Sequence, residues 1–275
     1  MRVKAWLKQA ERKLFEAGIG TARLDALVLL EDVTGRDRAW LLARPDHKIA
    51  SADQAVLTNL LNRRARHEPL AYVRKKTEFY GREFIITSAV LEPRPESETM
   101  LDRLKKLPKL PAKPQIADVG TGSGALGITA KLELPEAQVE LLEIDPAALK
   151  VAQKNVDKYT IGISVIRSDL LDKSRQANHV LLCNLPYVPD GYQVNEAALR
   201  EPKLAIFGGP DGLDVYRRLF DQVKKLPSRP LFILAESLPP QHRALAGLAR
   251  AAGYRLAQSD DFIQVFQLKA AGSPI

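Results

Sequence analysis

The sequence predicts an α/β fold, with a doubly wound, mainly parallel sheet of seven strands, preceded by a small helical domain and a connecting β-hairpin. Two observations predict it. From Ile116 onward, short apolar runs typical of strands alternate with longer segments of helical periodicity, as in parallel sheets covered by helices. Residues 3–66 instead carry apolar residues at helical spacing. A chain of 275 residues with 45% hydrophobic content can form one large and one small core.

The pattern divides the chain into four segments. We expect a helical domain over residues 1–72, a β-hairpin linker over 73–95, the α/β domain over 96–269 and a loose tail over 270–275. Glycines and a proline punctuate the helical segment, which carries no group of residues that could perform catalysis. The hairpin is predicted around Gly81, between two β-type runs.

The elements of the α/β domain follow a Pro-rich connector, residues 107–114, that cannot continue a helix. Strands are predicted at 116–119, 139–144, 163–166, 180–183, 231–235, 255–259 and 262–268. Helices are predicted at 98–106, 125–132, 146–159, 213–225 and 241–252. Residues 188–212, with many Gly and Pro, are predicted to be a long functional loop.

A glycine-rich motif, Gly120-Thr121-Gly122-Ser123-Gly124, lies between the first strand of the sheet and a helix. Glycines there allow the backbone to approach a ligand closely and leave N–H groups free at the helix start. Glu143 ends the next strand, 23 positions after the first glycine, where a carboxylate suits paired ribose hydroxyls. The motif predicts a nucleoside-containing cofactor, and taken alone the glycine pattern could also hold a dinucleotide.

A second motif, Asn184-Leu185-Pro186-Tyr187, follows the apolar run 180–183. In open α/β sheets, ligands bind beyond the carboxyl ends of the strands. The Asn184 carbonyl and a backbone carbonyl held by Pro186 can accept hydrogen bonds from a planar NH2 group, and Tyr187 can cover its flat face. The motif predicts a receptor for an amide or an exocyclic amine. The alternative is a Pro-containing turn in which the asparagine caps its own backbone.

With these motifs, the chain resembles the S-adenosylmethionine-dependent methyltransferases and, within them, the glutamine N5-methyltransferases of peptide chain release factors. The resemblance covers about residues 24–268 and includes further segments: Glu68-Pro69-Leu70-Ala71-Tyr72, Glu78-Phe79-Tyr80-Gly81, Leu91-Glu92-Pro93-Arg94-Pro95-Glu96-Ser97-Glu98, Glu201-Pro202 and Phe207-Gly208-Gly209-Pro210-Asp211-Gly212-Leu213. It implies a Rossmann-like class I methyltransferase domain. It also implies methylation of the glutamine in the Gly-Gly-Gln motif of release factors, with S-adenosylhomocysteine as the second product.

The resemblance also implies roles for individual residues. The expected cofactor-binding residues are Gly120, Thr121, Gly122, Ser123, Gly124, Glu143, Asp169, Leu170 and Asn184. The expected catalytic residues are Asn184, Pro186 and Tyr187, and the expected substrate-binding residues are Asn184, Leu185, Pro186, Tyr187, Arg94 and Pro95. The helical domain is expected to recognise the protein substrate.

Alternatives stay open at several of these positions. Asp145 competes with Glu143 for the ribose, although its place before Pro146 is typical of a helix N-cap. Asp169 could cap the following turn, and Arg94 could pair at the surface with Glu96. The helical domain could also be a lid that only stabilises the main domain.

The sequence departs from the family's usual pattern in four places. Leu185 stands where the family usually has a proline, and leucine there is common in ribosomal RNA adenine dimethyltransferases. Glu143 replaces the family's common aspartate, Glu236-Ser237-Leu238 replaces a Gly-containing segment, and Arg74-Lys75-Lys76 stands where the family tends to carry a glycine. These departures bear on the substrate more than on the cofactor.

Two other functions remain as alternatives, an adenine N6-methyltransferase acting on nucleic acid and a non-catalytic binding protein that keeps the fold. The net charge of +8 agrees with an anionic partner, although a nucleic acid is not favoured. One cysteine excludes an internal disulfide framework, and no apolar stretch approaches the roughly 18 residues of a membrane span. The four histidines lack metal-ligand spacing, so no metal site is expected. We expect a cytoplasmic monomer.

Overall fold

The computed structural model of the protein describes residues 1–194, 196 and 198–270. Within this part of the chain, the contacts define two compact units. The first comprises Met1–Lys76 and Val194–Arg200, and the second comprises Thr77–Gln193 and the residues from Glu201 onward. Of the predicted tail, only Ala270 lies among the described residues.

The first unit is helical, as its periodicity predicts. Its helices are α1 (Val3–Glu16), α2 (Ala22–Thr34), α3 (Arg38–Ala43), α4 (Ser51–Arg64) and α5 (Leu70–Arg74). Apolar residues at helical spacing, among them Ala10, Leu14 and Leu30, are fully buried in its core. Buried Asp25 accepts a hydrogen bond of 2.6 Å from Arg64, so this buried carboxylate has a cationic partner.

A two-stranded hairpin follows, formed by β1 (Lys76–Phe79) and β2 (Arg82–Ile85). Its two turn residues, Tyr80 and Gly81, both have positive φ angles, of 53° and 67°. This is the conformation that two-residue hairpin turns require, because its twist matches that of the strands.

The second unit contains a sheet of seven strands among the described residues, in the order β5-β4-β3-β6-β7-β9-β8. The strands are β3 (Gln115–Val119), β4 (Gln138–Glu143), β5 (Ser164–Arg167), β6 (Val180–Cys183), β7 (Phe232–Glu236), β8 (Tyr254–Ser259) and β9 (Ile263–Leu268). β9 runs antiparallel to both of its neighbours, β7 and β8, and the other neighbouring strands pair in parallel. The helices are α6 (Glu98–Lys105), α7 (Ala125–Glu133), α8 (Pro146–Tyr159), α9 (Lys203–Ile206), α10 (Asp214–Lys225) and α11 (His242–Ala251). The predicted α/β fold is therefore confirmed.

The sheet separates two apolar cores, because successive side chains of a strand point to opposite faces. In β6, Val180 and Leu182 pack into one core, while Leu181 and Cys183 pack into the other. Burial raises the pKa of the Cys183 thiol, as expected for a packing residue without a cationic partner.

The segment 188–212 has short elements of secondary structure among its described residues. It contains a 3-10 turn at Ala198–Arg200 and helix α9, and Val188 forms a β-bridge with Phe207. The predicted long loop therefore contains short elements of secondary structure. Isolated turns of three or four residues are too short to produce a recognisable hydrophobic period in the sequence.

The strand order places a topological switch between β3 and β6. The chain winds from β3 toward β5 on one side and continues from β6 toward β7 on the other. A crevice forms at such a switch, beyond the carboxyl ends of the strands, because the following connections diverge to opposite sides. Within the described part of the chain, none of the helices is both long enough and apolar enough to span a bilayer.

Candidate functional site

The glycine motif forms the turn between β3 and α7. Gly120, Gly122 and Gly124 have φ angles of 69°, 56° and 81°, which lie in the left-handed region that favours glycine. A Cβ built on Gly122 meets no atom within 4 Å, so its backbone faces open space. One built on Gly120 would lie 2.9 Å from Leu185 Cδ2, so the glycine turn packs directly against the second motif.

Asp118, near the end of β3, stabilises this turn from inside the core. Its Oδ2 accepts hydrogen bonds from the Thr121 hydroxyl at 2.5 Å and from the Gly127 N–H at 2.8 Å. Burial raises the pKa of Asp118 to about 6. Gly127 itself has no room for a side chain, because its Cβ would lie 2.3 Å from Leu141.

Glu143 connects the tip of β4 to the glycine turn. Its Oε2 accepts from the Gly122 N–H at 2.9 Å, and its Oε1 accepts from the Ile144 and Asp145 N–H groups at 2.8 and 3.0 Å. Asp145 caps α8 by accepting from Ala147 N–H at 2.8 Å, as its position before a proline predicts. Glu143 Oε2 keeps one lone pair for a further donor.

The end of β5 adds a third group of residues. Asp169 pairs with Arg218 of α10 through a charge-assisted hydrogen bond. Leu170 adopts a positive φ of 52°, held by a hydrogen bond of 2.8 Å from the Ser168 hydroxyl to its carbonyl. The Asp169 carboxylate thus forms an ion pair with the Arg218 guanidinium rather than capping the following turn.

The second motif begins where β6 ends. Asn184 donates through Nδ2 to the Ser97 hydroxyl at 2.8 Å, and no described residue donates to its Oδ1. Leu185 is buried, and the Tyr187 hydroxyl donates to Glu236 at 3.0 Å. Burial and the Glu236 carboxylate raise the pKa of Tyr187 well above its usual value. Asn184 is therefore oriented by its NH2 group, which leaves its carbonyl oxygen as an acceptor.

These groups line one cleft at the carboxyl ends of β3, β4, β5 and β6. The predicted site residues in its wall are Gly120, Thr121, Gly122, Ser123, Glu143, Asp169, Leu170, Asn184, Leu185 and Pro186. Four others lie outside that wall in the described structure: Gly124, Tyr187, Arg94 and Pro95.

Tyr187 is bound to Glu236 through its hydroxyl, and the other three residues have different surroundings. Gly124 packs against Ile128 and Leu141 at the start of α7. Arg94 pairs with buried Glu201, and the Glu92 N–H donates to the same carboxyl group at 3.2 Å. Burial raises the pKa of Glu201 despite the adjacent guanidinium. Pro95 is exposed at the start of a 3-10 turn, Pro95–Ser97.

Sequence reasoning missed three side chains that organise the site, namely Asp118, Ser97 and Glu236. Asp118 lies inside the quoted glycine motif, and its place at the end of a buried strand could have indicated a turn-stabilising acid. Ser97 and Glu236 lie 139 positions apart, and nothing local connects them. Glu236 was noted only as part of a departure from the family's pattern. Among the described residues, no group of His, Cys, Asp and Glu could hold a metal ion.

Residues 5–74 match a family model described as the PrmC N-terminal domain, and residues 95–201 match one described as the methyltransferase small domain. The catalytic domain of hMettl16, solved in complex with MAT2A 3′UTR hairpin 1, has a TM-score of 0.59 and 14% identity, covering 90% of this chain and 92% of its own. At this identity the likeness supports the fold alone.

Relatives of higher identity extend over most of the chain. The release factor glutamine methyltransferase of Moorella thermoacetica is 36% identical and covers 92% of this chain and 91% of its own length. That of Koribacter versatilis is 34% identical and covers 81% of each. The chain therefore belongs to the release factor glutamine methyltransferase family.

Proposed function

We propose that this chain methylates the side-chain amide nitrogen, N5, of the glutamine in the Gly-Gly-Gln motif of peptide chain release factors. The observation that carries the proposal is the cleft. It is lined by a glycine turn and by carboxylates at strand tips, which suit a nucleoside. It is also lined by Asn184, whose carbonyl oxygen accepts no hydrogen bond from the described residues. Relatives that cover most of the chain bear the name of this activity.

The residues of the cleft fit S-adenosylmethionine. The open backbone at Gly122 admits a ligand, and the free lone pair of Glu143 Oε2 can accept from a ribose hydroxyl. Asp169 keeps Oδ1 free beside its pair with Arg218, so it can accept from the adenine amino group. Leu170 supplies apolar contact for the ring. When bound, the cofactor supplies an activated methyl group on its sulfonium.

Asn184 orients the substrate amide. A glutamine amide nitrogen is a poor nucleophile because its lone pair is delocalised into the carbonyl. Asn184 Oδ1 accepts from one N–H, and a backbone carbonyl accepts from the other, which favours the positive charge that develops on nitrogen. The Pro186 carbonyl lies against Gly208, whose built Cβ is 2.3 Å from it. The Leu185 carbonyl is therefore the better candidate for the second acceptor.

Tyr187 and Pro186 shape the rest of the substrate position. Tyr187 directly follows the cleft wall at Pro186, and in this proposal its ring packs beside the amide plane while its hydroxyl stays bound to Glu236. Pro186 stiffens the loop. Arg94 and Pro95 contact the release factor outside the cleft. The proton leaves the nitrogen to water after methyl transfer, because the cleft offers no strong general base among its described residues.

The helical domain, residues 1–72, recognises the release factor in this proposal. Its support is the match of residues 5–74 to a family-specific amino-terminal domain. The hairpin region, 73–95, connects it to the methyltransferase domain, 96–269. The enzyme acts as a monomer in the cytoplasm, where release factors are made and used.

The decisive experiment is transfer of labelled methyl from S-adenosylmethionine to a purified release factor. The controls are the same factor with its loop glutamine replaced by alanine, and bare ribosomal RNA. Label on the unaltered factor alone supports the proposal and makes Leu185 a tolerated variation. Label on RNA alone would overturn it in favour of adenine methylation.

A further inference from the structure

A chain of hydrogen bonds runs from Asn184 into the core. Asn184 Nδ2 donates to Ser97 Oγ at 2.8 Å, and Ser97 Oγ donates to Glu236 Oε2 at 2.6 Å. The Tyr187 hydroxyl donates to the other oxygen, Oε1, of Glu236 at 3.0 Å. Ser97 is 3% exposed and Glu236 is 1% exposed. Water therefore does not compete for these bonds as it would at the surface.

Three different elements supply this chain of bonds. Asn184 follows β6 and Glu236 ends the adjacent strand β7, where Cys183 lies opposite Ala235 in the parallel register. Ser97 ends the 3-10 turn that precedes α6. The Tyr216 hydroxyl lies 2.8 Å from the Cys183 carbonyl and 2.6 Å from the Glu236 carbonyl, so it bridges the two strand ends. The donor and acceptor positions are thus held by the sheet.

The chemistry of Glu236 fixes the direction of the chain. Burial raises the pKa of Glu236, whereas the hydrogen bonds from Ser97 and Tyr187 lower it, and in its ionised form the carboxylate only accepts hydrogen bonds. The Asn184 NH2 group can only donate, so Ser97 Oγ accepts from it and gives its own single proton to Glu236. Because an amide has its NH2 and its carbonyl on opposite sides, binding the NH2 to Ser97 turns the carbonyl oxygen away from the core.

We propose that Ser97 and Glu236 are positioning residues that fix the orientation of the Asn184 amide, so that its carbonyl oxygen is presented to the NH2 group of the substrate. This inference rests on the proposed function. A flipped Asn184 would direct its own N–H groups at the substrate's N–H groups, so two donors would face each other and the nucleophile would lose its acceptor. Neither Ser97 nor Glu236 needs to touch the substrate.

The primary test compares Ser97→Ala with Ser97→Thr, which retains the hydroxyl. Ser97→Ala should lower kcat for release factor methylation at least about tenfold, the usual effect of losing one orienting hydrogen bond. S-adenosylmethionine affinity, measured by titration calorimetry, should stay within about threefold. Ser97→Thr should restore most of the rate.

A matched control is Ser237→Ala. Ser237 directly follows Glu236 and is fully buried, but its hydroxyl has no hydrogen-bond partner among the described residues. Like Ser97→Ala, this variant removes a serine hydroxyl from the same region, but it leaves the chain of hydrogen bonds intact. It should therefore methylate the release factor at the wild-type rate. Thermal unfolding of all variants reports whether each is folded at the assay temperature.

Glu236→Gln probes the direction of the chain. The amide of the new glutamine can donate to Ser97, which allows Ser97 to donate to Asn184. This reverses the orientation of the Asn184 side-chain amide. Activity should fall at least about tenfold although the side-chain shape is kept. Wild-type kcat in both Ser97→Ala and Glu236→Gln would overturn the inference.

A second readout needs no substrate. The side-chain NH2 signals of Asn184 can be assigned by NMR from their loss in Asn184→Ala, and their hydrogen exchange measured. Exchange should be slow in the wild type and in Ser237→Ala, and faster in Ser97→Ala. Equal exchange in all three would overturn the inference. If the wild type fails to methylate the release factor, the proposed function fails, and this measurement still decides whether Ser97 holds the amide.

Discussion

Replacing Gly208 with alanine tests whether the position of the Asn184–Tyr187 loop controls the rate. Gly208 lies between two backbone carbonyls, and a built Cβ would be 2.3 Å from the Pro186 oxygen and 2.5 Å from the Gly212 oxygen. Its φ angle is not among the positive ones, so alanine adds no backbone strain there. The effect of Gly208→Ala therefore isolates the steric contact.

The size of the effect follows from that contact. A carbon atom needs a separation of about 3.4 Å from a non-bonded oxygen, so the Pro186 carbonyl and residue 208 must move apart by about 1 Å. In the proposed function, Pro186 is part of the loop that orients the substrate amide. A displacement of about 1 Å from the reactive geometry can lower the rate by about 100-fold. We expect such a loss in kcat, with cofactor affinity kept within about tenfold.

The assay is the initial rate of methyl transfer to the release factor at saturating S-adenosylmethionine, with thermal unfolding measured in parallel. The control is Gly247→Ala in α11, where a Cβ meets no atom within 4 Å. That variant should keep its activity, and alanine should slightly favour the helix. A folded Gly208→Ala enzyme working at more than about a third of the wild-type rate would refute the argument that loop position limits catalysis.

Three further predictions follow from single side chains. Asn184→Ala should abolish methyl transfer while cofactor affinity stays within about tenfold, because it removes an acceptor for the substrate amide; measurable turnover would show that another group orients the substrate. Between about pH 4 and 6, the unfolded state loses the Asp118 proton before the folded state, whose pKa is about 6. As the pH rises from about 4 to 6, the free energy of unfolding of the ligand-free wild type, measured with denaturant, should therefore fall by up to about 3 kcal/mol relative to that of Asp118→Asn. Parallel pH dependences of the two proteins would contradict the raised pKa. Cys183 is buried with a raised pKa, so iodoacetamide should label it only after unfolding; rapid labelling of the native protein would contradict its packing role.

The local elements of this fold could be predicted because their causes are local. Buried parallel strands are short apolar runs, so β3 and β6 were located to within one residue at each end. The glycine turn could be predicted because three positions need positive φ angles. Asp145 as an N-cap followed from one neighbouring proline. Each of these features rests on residues that are adjacent in the sequence.

Other features depend on residues that are far apart in the sequence and carry no periodic signal. The chain from Asn184 through Ser97 to Glu236 joins positions separated by 87 and 139 residues. The pairing of Asp169 with Arg218 and the contact of Gly208 with Pro186 are of the same kind. Polar pairs of this type form only after the sheet order has brought their strand ends together.

The sequence by itself determined the fold class, the glycine turn and the asparagine that we propose receives the substrate's NH2 group, because these depend on local backbone conformation and on short motifs. Only the tertiary structure decided which atom of that asparagine faces the cleft. An amide has two chemically different ends of nearly equal size, and its orientation depends on the partner that binds one of them. Here that partner is Ser97, held by a buried carboxylate on a neighbouring strand.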